Sequence, residues 1–361
     1  MEQTTLYRKY RPITFSQVIG QSFVVNTLKN QLTSGNISHA YLFCGTRGTG
    51  KTTVAKIFSR SVNCLDLQPN GDPCNKCEAC TGLLNGTILD VSEIDAASNR
   101  RVDDIRLIRN EVQYAPTALK YRVYIIDEVH MLTGEAFNAL LKTLEEPPKN
   151  TIFILATTEA HKVPLTIQSR CQRFDFRRIS NKDITSHLLQ TAKDDNFELA
   201  PDAASVIATL ADGAMRDALS ILDQCKGVSG GKVTLDVVQN TLGVVGRNMY
   251  FNLADAIADK SMGDALSIAN KILTGGSDAS VLANTLLAHY RDLAVCKNVD
   301  SPEEILDEPS ETIEKLKEQC KKYSTDKIIA CMQGLSEIIA NLKFASSPRV
   351  LVESTILQLS A

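Results

Sequence analysis

The stretch that most constrains this chain is Gly45-Thr46-Arg47-Gly48-Thr49-Gly50-Lys51-Thr52. It fits the pattern Gly-x-x-x-x-Gly-Lys-Ser/Thr. Before it, Ala40-Tyr41-Leu42-Phe43-Cys44 reads as a short buried strand, and after it Thr53-Val54-Ala55-Lys56-Ile57-Phe58 reads as the first turns of a helix. In that context the glycines let backbone N–H groups close around anionic oxygens, and the helix N-terminus adds the positive end of its dipole. Lys51 is then expected to reach the outer phosphates of a nucleoside triphosphate, and Thr52 to hold Mg²⁺. The alternative is a chance glycine-rich turn; pattern and flanks together speak against it.

Further strand-like runs follow: Ile88 to Ile94, Val123-Tyr124-Ile125-Ile126, and Thr151 to Ala156. They alternate with helical segments near 101–114 and 133–145. Buried apolar strands separated by helices predict an α/β fold with a parallel sheet and right-handed crossovers. The second run ends in Asp127-Glu128-Val129-His130. An apolar strand that delivers Asp-Glu at its C-terminal end suits the magnesium and water side of a nucleotide site. Asp127 would assist Mg²⁺ and Glu128 would polarise the attacking water. A solvent-facing acidic pair is the plain alternative. The third run ends in Thr157-Thr158-Glu159, whose hydroxyls either sense the γ-phosphate or merely cap the strand. Arg170, in Ser169-Arg170-Cys171, and Arg216, in Gly213-Ala214-Met215-Arg216-Asp217, have no role assignable from the residues alone.

Cys64, Cys74, Cys77 and Cys80 form a second constellation. Four thiolates with two Cys-x-x-Cys steps suit tetrahedral Zn²⁺. Pro69, Asn70, Gly71 and Pro73 lie between the first two and predict a loop that folds back. No histidine or carboxylate completes the set, so a closed structural site is expected rather than a catalytic one. Unrelated core cysteines or a redox pair are the alternatives.

Ahead of the glycine-rich loop, Leu6-Tyr7-Arg8-Lys9-Tyr10-Arg11-Pro12 reads as a basic, aromatic arm, followed by a turn at Gly20 and a helix from Ser22 to Leu32. It is either a surface arm or a cover for a base, because Tyr7, Pro12, Val18 and Ile19 offer apolar faces near the loop. From about 179 to 242 the pattern is helical, broken at Asn196-Phe197 and at Gly227 to Gly231. From Gly243 onward it stays helical without a chemical motif, as expected of a packing or assembly bundle. Three domains are therefore expected: 1–178, with the cysteine module at about 64–80, then 179–242 and 243–361.

Net charge is −3 and the isoelectric point about 6.0, so any nucleic-acid contact must come from a local or assembled positive patch. No apolar run approaches the roughly 20 residues a membrane span needs. The N-terminal residues are polar, so a cytoplasmic protein is expected, where thiols stay reduced.

Taken together, the set resembles the ATPase motor subunits of the bacterial replicative clamp loader, the gamma/tau subunits of DNA polymerase III, within the AAA+ superfamily. The resemblance covers the whole chain. It is carried by Leu6–Pro12, the phosphate loop, the cysteine insert after it, Asp127-Glu128-Val129-His130-Met131-Leu132, the run from Asn138 to Pro148, and Ser169-Arg170-Cys171. It implies an ATPase with ATP, Mg²⁺ and structural Zn²⁺, and no polymerase site of its own. Gly45 to Thr53 would bind the nucleotide, and Tyr7, Arg11, Pro12, Val18 and Ile19 would pack on its base. Thr157 would be the first sensor and Arg216, on a helical lid, the second. Arg170 would act in trans as an arginine finger. The last domain would be the collar of a hetero-pentameric ring with delta- and delta-prime-type subunits, acting on the sliding clamp and primer-template DNA. The nine-residue gap after Cys64 is one longer than the family pattern leads us to expect. The family's longer form adds a tail that binds helicase and polymerase; with no such tail in these residues, those functions are not expected of them.

Arg100, Arg101 and Arg106, at the start of the 101–114 helix, are candidate DNA-phosphate contacts, with a solvated helix face as the alternative. A degenerate, non-catalytic ring subunit would lack Lys51, Thr52, Asp127 or Glu128, and all four are present. A branch-migration or remodelling motor leaves the cysteine insert unexplained, and no winged-helix signature is visible at the C-terminus.

Overall fold

The computed structural model describes residues 5–98, 111–112, 114–242, 247–306, 308 and 310–361. Two compact units emerge, Met1–Lys232 and Val233–Ala361.

The first unit is built on five parallel strands: β1 (Ala40–Cys44), β2 (Val91–Asp95), β3 (Arg122–Asp127), β4 (Thr151–Thr157) and β5 (Gln172–Asp175), in the spatial order β2-β3-β4-β1-β5. Alternation along the pleat sends Tyr41 and Phe43, Val123 and Ile125, and Ile152 and Ile154 to one face. Leu42, Tyr124, Ile126, Phe153 and Leu155 go to the other. Each face is covered by helices. Among α1 (Leu6–Lys9), α2 (Ser22–Ser34), α3 (Lys51–Val62), α4 (Glu78–Leu84), α5 (Gly134–Glu145) and α6 (Leu165–Gln168), helices α2 and α3 cover the first face and α5 and α6 the second. Valine, isoleucine and aromatic side chains buried on both faces explain why these strands read as continuous apolar runs.

The predicted second strand begins three residues late. Asp90 is buried and turns its carboxylate onto the backbone N–H groups of Thr117, Ala118 and Leu119, so the ladder starts at Val91. Strand β5 was not expected. It is a four-residue edge strand with only Phe174 buried, too short and polar to show a period. The helix expected at 133–145 is α5, capped by Thr133 Oγ1 on Ala136 N. Most of the helix expected at 101–114 lies outside the described residues.

Beyond the sheet come α7 (Asn181–Asp194), α8 (Pro201–Leu210) and α9 (Met215–Ser229). The break at Asn196 is real, in left-handed geometry. Gly227, expected in a break, instead lies within α9, which runs on to Ser229 and ends at left-handed Gly230.

In the second unit, α10 (Leu235–Leu242) buries Val238, and α11 (Arg247–Ala258), α12 (Met262–Thr274), α13 (Ala279–Asn298), α14 (Ser310–Gln319), α15 (Thr325–Leu342) and α16 (Pro348–Leu359) share one apolar core. Leu253, Leu286, Tyr290, Leu335 and Ile356 sit at its centre. Among the described residues no helix is long and apolar enough to cross a membrane.

Candidate active site

Parallel strands bring their C-terminal ends to one edge, where ligands of α/β sheets gather. Here β1 runs out into the glycine-rich loop, and Gly45 N donates to Thr157 O at 3.2 Å. A Cβ at Gly45 would stand 2.5 Å from Phe176 O, and one at Gly48 would stand 2.7 Å from Ala214 Cβ. Both positions also have positive φ, so only glycine fits them. The loop closes into α3 at Lys51.

Lys51 is buried, and its Nζ donates to Gly45 O at 2.8 Å and to Thr46 O at 2.9 Å. Burial lowers its pKa, with Glu128 and Asp127 pulling the other way. Thr52 Oγ1 donates to Asp127 Oδ2 at 2.7 Å, which sets two hard oxygen ligands side by side, as Mg²⁺ requires. Glu128 follows in left-handed geometry at φ 48°, a strained setting for a side chain of this size. Its carboxylate accepts from Thr158 Oγ1 at 2.9 Å and lies 3.4 Å from His130 Nδ1.

These groups share a cleft of about 630 Å³ with the N-terminal arm. Tyr7, Arg11, Pro12, Val18 and Ile19 wall it, as do Arg47 to Thr53, Asp127, Glu128 and Arg216. Arg11 Nε donates to Thr53 Oγ1 at 3.1 Å, and the Arg216 guanidinium lies 5.2 Å from the Tyr7 ring centroid.

Four expected residues stand apart. Gly45 and Thr46 form the base and rim of the loop. Thr157 is wholly buried: it continues the odd-numbered row of β4, and its Oγ1 lies 3.0 Å from His130 Nδ1. Thr158, which sequence reasoning left unassigned, is the hydroxyl that meets Glu128. Arg170 lies outside the cleft, where its guanidinium pairs with Glu145 at 2.6 Å and donates to Thr166 O at 2.8 Å. Arg100, Arg101 and Arg106 lie outside the described residues. His130 was also missed. It bridges Glu128 and Glu159, the latter at 3.1 Å from Nε2.

The cysteine sulfurs of Cys64, Cys74, Cys77 and Cys80 all lie within 4.8 Å of one another. Tetrahedral Zn–S bonds of about 2.3 Å demand sulfur separations of roughly 3.8 Å, so this spread is compatible with zinc. Backbone N–H groups of Cys74, Lys76 and Cys77 point at sulfurs at 3.3–3.4 Å, as charged thiolates require. Burial would push the Cys77 thiol up, but hydrogen bonds from the backbone N–H groups of Cys80 and Leu65, with those of the Cys74 and Cys80 side chains, outweigh it and bring it to about 6. The long gap is taken up by a turn in which Gly71 N donates to Gln68 O, and Asp72 pins the loop to Phe15 N at 2.7 Å.

Comparisons with known proteins agree with this layout. Family models described as DNA polymerase III, delta subunit; DNA polymerase III clamp loader subunit, ATPase lid domain; and DNA polymerase III subunits gamma and tau domain III match residues 20–180, 183–231 and 233–361. DNA polymerase III subunit gamma of Buchnera aphidicola subsp. Schizaphis graminum is 35% identical, over 99% of this chain and 98% of that protein. The chain belongs to the DNA polymerase III gamma/tau family. Within that family, subunit tau of Bacillus subtilis is 44% identical over 99% of this chain, but the match spans only 63% of the relative's length. Among solved structures, the Thermotoga maritima RuvB Holliday junction branch migration motor has a TM-score of 0.50 at 19% identity, over 69% of this chain and 79% of that one. That likeness shows a fold shared with the gamma/tau chain.

Proposed function

We propose that this chain is the ATP-hydrolysing motor subunit of a bacterial clamp loader, opening the sliding clamp and placing it on primer-template DNA. One observation carries the reading: the glycine loop, the Thr52–Asp127 pair and the Glu128 carboxylate face one cleft. In this reading the triphosphate lies along Arg47 to Thr53 and takes over the Lys51 donors that now rest on Gly45 and Thr46. Thr52 and Asp127 hold Mg²⁺, which neutralises charge on the phosphate oxygens. Glu128 orients and deprotonates the attacking water once it leaves Thr158 and His130. Thr157, the first sensor in this reading, acts one step back by fixing His130, while Thr158 holds the Glu128 carboxylate. Tyr7, Arg11, Pro12, Val18 and Ile19 receive the base, and Arg216 closes on the phosphates from the lid.

Arg170 does not line its own cleft, which supports its use on a neighbour's nucleotide; a guanidinium so used is worth roughly 10³–10⁵ in rate in comparable systems. Hydrolysis then depends on assembly with delta- and delta-prime-type subunits. Cys64, Cys74, Cys77 and Cys80 hold structural Zn²⁺. We assign nucleotide binding to 1–178, the lid to 179–242 and the collar to 243–361; a lid so drawn runs past the boundary between the two compact units, which falls after Lys232. Arg100, Arg101 and Arg106 contact DNA phosphates, and the protein works in the cytoplasm. The direct test of hydrolysis is Glu128→Gln. ATP binding by calorimetry should be retained while turnover falls by about 10²–10⁴. Normal turnover would remove Glu128 from the mechanism.

A further inference from the structure

The arm that walls the cleft is held by a carboxylate far from it in sequence. Asp195 follows α7 directly, and its side chain is only 6% exposed. It forms ion pairs with Lys9 and with Lys226, and accepts a hydrogen bond from Tyr10 Oη at 3.2 Å. Lys9 closes α1 and Tyr10 follows it, while Tyr7 of the same helix lines the cleft. Lys226 lies on α9, whose first turn carries Arg216. The Arg216 guanidinium over the Tyr7 ring is a second tie between the same two elements. At its other end the arm is fastened to α3 by Arg11 on Thr53.

A carboxylate at a helix C-terminus opposes the helix dipole, and a buried one must find partners. Asp195 finds two ammonium groups and a phenol. Burial alone would raise its pKa; hydrogen bonds from Lys226 and Lys9 outweigh that and bring it to about 2. The two ion pairs do different things. Lys226–Asp195 joins two segments of the lid, whereas Lys9 and Tyr10 tie the arm to the lid.

We propose that Asp195 is a positioning residue for the base of the bound nucleotide: by holding α1 against the C-terminal end of α7, it fixes the arm that carries Tyr7 and Pro12 and makes that arm move with the lid. This rests on the reading of the cleft as an ATP site whose base packs on the arm. Base binding and lid position then form one equilibrium. Inorganic triphosphate, which has no base, gains nothing from the anchor.

The experiment is calorimetric binding of ATP and of inorganic triphosphate to the full chain and to Asp195→Asn, Lys9→Met and Lys226→Met. Lys9 is 52% exposed at its side chain, so Lys9→Met removes the tie without emptying a core. Asp195→Asn and Lys9→Met should weaken ATP about tenfold and leave triphosphate unchanged. Lys226→Met should leave both unchanged. Equal weakening of both ligands, unaltered ATP affinity in Lys9→Met, or a loss in Lys226→Met as large as in Lys9→Met would overturn the proposal. A wild-type chain that binds neither ligand would instead overturn the nucleotide reading beneath it.

Discussion

The two units use their polar side chains in opposite ways. In the helical unit, buried polar groups close on one another. His289 Nε2 meets Gln319 Oε1 at 2.7 Å, and Gln319 Nε2 donates to Phe251 O at 2.7 Å. Tyr290 and Tyr323 share a 3.0 Å hydrogen bond, and Tyr323 donates onward to Ala254 O. In the sheet unit, Lys51, Thr52, Asp127 and Glu128 face a cleft, and their contacts are with loop carbonyls, hydroxyls and one another. A closed network specifies packing, because an unpaired member costs its full desolvation. A cluster at the open end of parallel strands keeps donors that an incoming anion can claim.

If that contrast is right, substitutions should separate function from stability. Lys51→Ala has the largest expected effect. ATP binding and hydrolysis should fall below detection in filter-binding and turnover assays, with the melting temperature nearly unchanged; retained ATP binding would break the comparison on the cleft side. Cys77→Ser comes next. Metal analysis of pure protein should fall from one zinc per chain toward none, and zinc-free wild type would sink the cluster assignment. On the helical side, Tyr323→Phe takes the Tyr323 hydroxyl from both Tyr290 Oη and Ala254 O. Denaturant unfolding should show a loss of about 1–3 kcal/mol with ATP affinity unchanged.

A pH dependence tests the same side. Burial pulls His289 down to about 4, outweighing its bond to Gln319. A depressed folded pKa means that its contribution to stability is full above the unfolded value near 6.5 and is lost as pH falls through about 4. Over that window wild type should lose about 3 kcal/mol more than His289→Gln. Parallel curves would show that His289 is not buried neutral.

What the sequence made legible was whatever is contiguous. The loop with its strand and helix, the Asp127-Glu128 pair ending an apolar run, and the cysteine spacing each state their chemistry within a short window. What it hid depends on contacts between distant segments. Nothing local says which of Thr157 and Thr158 meets Glu128, because that is set by which face of β4 each continues. Edge strand β5 buries one residue and shows no period. The Asp195 anchor joins residues 186 apart. The Arg170–Glu145 pair likewise needs the fold to bring the end of α6 beside α5. The bundle was legible as a class, from helical spacing, while its buried tyrosine and histidine pairs were not.

The central claim is that the cleft is one side of a hydrolytic interface. The most direct measurement is steady-state ATPase of the chain alone and with neighbouring subunits, clamp and primed DNA, for wild type and Arg170→Ala. The account predicts slow turnover alone, strong stimulation only in the full mixture, and loss of that stimulation in Arg170→Ala with ATP binding kept. Full turnover by the solitary chain, or stimulation indifferent to Arg170, would contradict it.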